Sequence, residues 1–202
     1  MGWEAGFWAA VGVASPWLVE WYRVEARVDP NGRLAFLPAL APWIYGLGPP
    51  YLALLTGAIT ARQTGVYGSG GVPGWLGGML VCGLVFVGAL ALRQFWNQEW
   101  PAPGTTAGAL DEPRWAMYRS IGWLWSGGYA WGLLIGLGLA LFEWASRSQP
   151  WRPAALERPA AGVLLGRIAL SSVLFSLTGN LWLTLVTQAA VLAAVGHQVP
   201  NS

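Results

Sequence analysis

Residues 126–144, SGGYAWGLLIGLGLALFEW, limit the possible folds of this chain more than any other stretch. Small residues recur there at every fourth position: Gly128, Gly132, Gly136 and Ala140. On a helix, this spacing places them in one stripe. In water, each glycine would weaken the helix by about 1 kcal/mol relative to alanine. In lipid, small residues let a neighbouring helix approach closely, so the stretch predicts a membrane helix that packs on another helix.

The composition extends this prediction to the whole chain. Of its 202 residues, 55% are hydrophobic and only 10% are charged, whereas an ordinary soluble domain has about 25% charged residues. So few charges leave too little polar surface to keep a globule of this size in solution. We therefore expect an all-α, multi-pass integral membrane protein, with residues 1–202 forming one helical bundle of five or six spans.

Composition also excludes several functions. The net charge is +2 and no basic cluster is present, so we expect no nucleic-acid partner. Cys82 is the only cysteine and His197 is the only histidine. A single chain can then form no internal disulfide, thiolate metal cluster or bis-histidine site, and we expect neither a cofactor nor a metal.

Six apolar stretches are candidate spans: residues 5–20, 43–61, 73–92, 121–142, 161–177 and 181–196. The first is short and has tryptophans at both ends, which suits either a tilted span or a helix lying at the interface. The second follows Pro38 and Pro42 and contains Pro49-Pro50. These prolines predict a kinked approach to the span or, alternatively, a discontinuous helix that lines a site.

The fourth span should belong to a helix that begins near Glu112. Asp111 is a suitable N-cap for it, and Pro113 is tolerated in a first turn. We expect this helix to continue without a break through residues 121–142.

The last apolar run, residues 160–196, would exceed 50 Å as one helix, against a hydrocarbon core of about 30 Å. The turn-forming residues 178–180, Thr-Gly-Asn, lie near its middle. They predict a C-terminal hairpin of two short helices, and one long tilted helix is the alternative.

Three polar residues lie within the predicted spans: Arg167, Asn180 and Gln188. Such residues are candidate functional positions by default. We expect Arg167 to extend to the interface, or else to pair with Glu143 or Glu157. Asn180 and Gln188 are expected to form hydrogen bonds across helices.

The C-terminal hairpin resembles a known protein family. Residues 175–179, FSLTG, and 180–188, NLWLTLVTQ, are similar to the end of the CPBP-type (CAAX-processing and bacteriocin-processing) intramembrane proteases, and residues 45–67 resemble their N-terminal half. Those proteases carry a paired-glutamate motif with an arginine, a Phe-x-x-x-His motif and a later histidine. Asp111-Glu112, with Arg119 downstream, resembles the acidic motif at a different spacing.

The resemblance implies a relative that has lost its activity. Gly179 occupies the position of the first histidine of the family, and Gln188 occupies that of the second, with Leu192 at the motif position that follows. Neither glycine nor a neutral amide can act as a general base. We therefore assign no catalytic residue.

These observations together predict a non-catalytic scaffold or accessory subunit of a membrane complex. It would be integral to a membrane, either the bacterial inner membrane or an internal membrane. Its partners would be the lipid bilayer and other membrane-protein subunits. The small-residue stripe would pack on a helix of this chain or of another subunit.

Three alternatives stay open at this point. The first is an active intramembrane peptidase of CPBP type with a degenerate site at Asp111, Glu112 and Arg119. The second is a subunit of a pigment or redox complex, in which some of the fifteen tryptophans would contact pigment or lipid. The third is a small transporter with its helix break at Pro49-Pro50.

Overall fold

The computed structural model describes residues 2–28, 37–68, 70–95, 111–147 and 159–196. These ranges contain seven helices and no strand, so the all-α prediction is confirmed for them. The helices are α1 Gly2–Val28, α2 Leu37–Leu55, α3 Gly71–Phe95, α4 Asp111–Ser126, α5 Tyr129–Arg147, α6 Pro159–Thr178 and α7 Leu181–Gly196.

Two helical segments are long and apolar enough to cross a bilayer, Gly71–Ala91 in α3 and Tyr129–Ser146 in α5. Two other apolar segments, Leu165–Thr178 in α6 and Leu181–Ala194 in α7, are shorter. The count of five or six spans stays a prediction.

The chain divides into two compact units. Unit 1 comprises Met1–Thr60 and Pro113–Trp151, and unit 2 comprises Ala61–Glu112 and Arg152–Ser202. The boundary between Glu112 and Pro113 falls inside the first turn of α4. Each unit is therefore built from two separate stretches of the chain.

In unit 1, α1 packs against α2 and α5. The inward side of α1 carries the small residues Ala5, Ala9 and Gly12, all of which are buried. A Cβ atom at Gly12 would lie 2.6 Å from Met117 Cε and 2.8 Å from the Tyr118 ring. Glycine at this position therefore lets α1 approach α4 closely.

Helix α2 is continuous from Leu37 to Leu55, so the alternative of a discontinuous helix at Pro49-Pro50 does not occur. Both of these prolines are buried in a helix that packs against α1. This packing holds the helix although each proline removes one backbone donor. The helix ends where Gly57 adopts a φ of +73°, a left-handed conformation that favours glycine. The helical part of the predicted span 43–61 therefore stops short of residue 61.

Helices α4 and α5 correct the prediction of one continuous helix through residues 121–142. α4 ends at Ser126 and α5 begins at Tyr129. Between them Gly127 has a φ of +67°, which residues with a Cβ atom rarely adopt. The Ser126 hydroxyl donates a hydrogen bond to the Gly122 carbonyl at 2.8 Å. The chain thus turns back on itself at residues 126–128.

The small-residue stripe of α5 packs on α4 within this antiparallel hairpin. A Cβ atom at Gly132 would lie 2.8 Å from the Trp123 nitrogen, and one at Gly136 would lie 2.7 Å from the Arg119 nitrogen. Ala140 is buried. Gly128 precedes the helix, and a Cβ there would come within 4 Å only of the Trp131 ring. Three members of the stripe are therefore buried in this chain's own fold.

In unit 2, α3 packs against α6 and α7, which form a hairpin with each other. α6 ends at Thr178 and α7 begins at Leu181, with Gly179 at a φ of +58° between them. The Asn180 Oδ1 accepts hydrogen bonds from the backbone nitrogens of residues 182 and 183 at 2.9 and 3.3 Å. Asn180 therefore caps the start of α7.

Residues 61–68 of unit 2 pack on this turn. The Leu181 nitrogen donates to the Gly65 carbonyl at 3.1 Å, and the Trp182 Nε1 donates to the Val66 carbonyl at 3.0 Å. Gly65 has a φ of +75°, and a Cβ there would lie 2.7 Å from the Phe175 ring. This position thus requires glycine for its conformation and for its close packing.

The hairpin of α4 and α5 yields the first prediction. The Gly132→Leu substitution should lower the midpoint of thermal unfolding in mild detergent, because its side chain would overlap the Trp123 backbone. Overpacking of this kind typically costs about 1–3 kcal/mol. The control is Gly138→Leu on the same helix, where a Cβ would meet nothing within 4 Å. Equal midpoints for the two variants would contradict the packing described here.

Candidate functional site

The Glu112 carboxylate is buried in unit 2, where three helices contribute to its surroundings. Its Oε2 accepts a hydrogen bond from Ser171 Oγ of α6 at 2.6 Å and another from Gln188 Nε2 of α7 at 3.0 Å. We call Asp111, Glu112, Arg167, Ser171 and Gln188 the Glu112 cluster. All five residues belong to unit 2.

Arg167 joins this cluster through Asp111. Its Nη2 lies 3.0 Å from Asp111 Oδ2, and both side chains are largely buried. Arg167 thus pairs with Asp111, which is neither of the two partners named in the sequence analysis; Glu157 lies outside the described residues. The sequence marks Asp111 as a helix cap and as part of the acidic motif, but it does not predict that Asp111 lies beside α6.

Three effects allow carboxylates to be buried here. The hydrogen bond from Ser171 Oγ to Glu112 is short, at 2.6 Å, as is typical when the acceptor is charged. Asp111 is paired with an arginine. Both acids lie in the first turn of α4, where the helix dipole favours negative charge. The cluster is therefore a hydrogen-bonded network that compensates for the loss of hydration.

The amide of Gln188 is oriented by two acceptors. Its Nε2 donates to Glu112 Oε2 at 3.0 Å and to the Arg167 carbonyl oxygen at 3.3 Å. An amide nitrogen has two hydrogens to donate and accepts none. Gln188 therefore acts towards Glu112 as a donor and cannot remove a proton from a water or a substrate.

Asn180, Thr184 and Gln188 lie at every fourth position of the chain and are all buried. The Thr184 hydroxyl donates to the Asn180 carbonyl at 2.9 Å. Of the polar residues identified in the sequence, Arg167 and Gln188 come together in the Glu112 cluster. Asn180 lies about 12 Å away along the helix axis from Gln188 and caps α7 instead.

A second buried carboxylate, Glu143, lies in unit 1. Its Oε2 accepts a hydrogen bond from Tyr118 Oη at 2.8 Å and lies 2.9 Å from Arg114 Nε. The Arg114 guanidinium also lies over the Tyr45 ring, 5.1 Å from its centroid. These contacts join α2, α4 and α5. Sequence reasoning missed Tyr118 and Arg114, although their spacing of four on α4 places them on one face.

Arg119 is buried in unit 1, where its backbone lies against Gly136. Cys82 is buried on α3, and its Sγ lies 3.8 Å from the Leu183 carbonyl. His197 lies outside the described residues. In the part of the chain that the structure describes, no three histidine, cysteine or acidic side chains are grouped so that they could hold a metal ion.

No known family model, curated protein or solved structure matches this chain. The resemblance to the CPBP-type proteases therefore stays a prediction.

The second prediction concerns the Ser171 hydroxyl. Ser171→Ala should lower the thermal unfolding midpoint, because the buried Glu112 carboxylate loses a charge-assisted hydrogen bond worth about 1.5–3 kcal/mol. Ser176→Ala is the matched control, since Ser176 is exposed on the same helix and donates only to the Val173 carbonyl. A surface change of this kind usually stays within about 0.5 kcal/mol. If both variants unfold at the wild-type temperature, the hydrogen bond contributes nothing to stability.

Proposed function

We propose that this chain is a non-catalytic, multi-pass integral membrane protein that serves as a scaffold or accessory subunit of a membrane complex, in a bacterial inner membrane or an internal membrane. The observation that carries the proposal is the Glu112 cluster. Its buried carboxylate is held by a hydroxyl and a neutral amide, neither of which is a base at neutral pH.

The distribution of apolar side chains supports the membrane part of the proposal. Large apolar residues are exposed along the two helices that are long enough to span: Leu76, Met79, Leu80, Leu84 and Val87 on α3, and Trp131, Leu134 and Phe142 on α5. In water, continuous apolar faces of this size are rare on monomeric proteins. In lipid such faces need no protein packed against them, whereas the charged residues Glu112, Arg114 and Glu143 are buried.

The pairing of Gln188 with Glu112 supports descent from the CPBP-type proteases. The resemblance places Gln188 at a histidine position and Glu112 in the acidic motif, and these two side chains are hydrogen-bonded. Gly179, at the other histidine position, has a φ of +58°. A histidine there would be strained, because a left-handed conformation disfavours residues with a Cβ atom. If the chain is an inactive relative of the family, the absence of histidine at both positions, Gly179 and Gln188, is explained.

The contact surface of such a subunit is not the buried part of the small-residue stripe. Gly132, Gly136 and Ala140 are buried in the chain's own fold, and both glycines lie against α4. They therefore do not supply a surface for another subunit. The proposal assigns that role to the exposed apolar faces instead.

The third prediction tests membrane integration and assembly. The tagged chain should stay in the membrane pellet after alkaline carbonate extraction, since its apolar faces are inserted in lipid. After solubilisation in mild detergent, it should co-purify with defined membrane proteins in fixed stoichiometry. Recovery in the carbonate supernatant would contradict integration, and recovery solely as an isolated monomer would contradict the scaffold role.

One contact favours a second candidate, an intramembrane peptidase. Ser171 Oγ donates directly to the Glu112 carboxylate at 2.6 Å, and a hydroxyl beside a carboxylate is one way to activate a nucleophile. Full burial of Ser171 opposes this candidate, because a substrate would have to reach the hydroxyl through packed side chains.

The fourth prediction separates the two candidates. In lipid nanodiscs, the wild-type chain and its Glu112→Gln variant should cleave a library of membrane-peptide substrates equally little, at the level of empty nanodiscs. The variant keeps the shape of the side chain and removes its charge. Cleavage by the wild type that is lost in a folded Glu112→Gln variant would refute the non-catalytic proposal and identify Glu112 as a catalytic group.

A further inference from the structure

Gln188 carries a buried acceptor for which the described residues provide no donor. Its side chain is 1% exposed. The Nε2 atom has two acceptors, Glu112 Oε2 and the Arg167 carbonyl. The Oε1 atom is buried and accepts no hydrogen bond from the part of the protein that the structure describes. Buried side-chain oxygens are nearly always bonded to protein or to ordered water.

Rotating the amide cannot satisfy this oxygen. An exchange of Oε1 and Nε2 would turn two hydrogen bonds into two contacts between oxygen atoms, one of them with a carboxylate. The present orientation of the amide therefore follows from its neighbours, and Oε1 needs a donor from elsewhere.

The surroundings limit what that donor can be. An anion is disfavoured because Gln188 lies against the Glu112 carboxylate. A metal cation is disfavoured because no three histidine, cysteine or acidic side chains of the described residues are grouped to hold one. The remaining class is a small, neutral hydrogen-bond donor.

We propose that the Glu112 cluster binds one ordered water molecule, which donates a hydrogen bond to Gln188 Oε1. Buried waters usually have two to four polar partners. The two polar atoms of the Gln188 amide share one carbon, so a water about 2.8 Å from Oε1 is near enough to Glu112 for its second hydrogen to reach that carboxylate. This inference does not depend on the proposed scaffold role.

The experiment is a crystal structure of the full chain in a lipidic phase, at a resolution that shows ordered water. We expect a density peak at about 2.7–3.0 Å from Gln188 Oε1. The Gln188→Met variant keeps the length of the side chain and removes the amide, so it should lose the peak. Thr184→Val is the control on the same face of α7, because the Thr184 hydroxyl bonds to a backbone carbonyl, and this variant should retain the peak.

Two results would overturn the inference. The first is a wild-type map without a peak at bonding distance from Oε1, which would mean that no water binds there. The second is a peak that persists in Gln188→Met, which would mean that other groups hold the water. The wild-type map is sufficient to show whether a water binds at Oε1. The inference therefore stays testable if the Gln188→Met variant does not fold.

Discussion

Moving a carboxylate out of water costs several kcal/mol unless donors replace its hydration, and each unit of this chain contains one buried carboxylate that meets this condition. In unit 2, Ser171 and Gln188 donate to Glu112. In unit 1, Tyr118 donates to Glu143, which lies beside Arg114. The contacts of Glu112 join helices that are far apart in the chain, whereas those of Glu143 join the two neighbouring helices α4 and α5. The sequence has few charged residues, and the buried charged residues therefore specify which helices pack together.

Close packing of backbones complements these polar contacts. Gly132 and Gly136 bring α5 against α4, and Gly12 does the same for α1. A hairpin with such close backbones depends on van der Waals contact, since no large side chain fits between the helices. The polar clusters thus select the neighbours, and the glycines set how closely those neighbours approach.

The arrangement of polar and apolar residues agrees with the proposed membrane role. Glu112, Arg114 and Glu143 are buried, whereas large apolar side chains such as Leu80 and Trp131 are more than 60% exposed. A protein in lipid has this distribution because lipid tails, unlike water, do not solvate polar groups on the outer surface.

The sequence by itself determined the all-α class and the position of the break near Gly179, because composition and turn-forming residues act locally. It also located the small-residue stripe but not its neighbour, which proved to be α4 for Gly132 and Gly136. Only the tertiary structure decided that Arg167 pairs with Asp111 and that Gln188 meets Glu112. These pairs are 56 and 76 residues apart, and spacing along the chain carries no information on contacts at such separations. They form because folding brings these helices together, and a buried charge needs polar partners there.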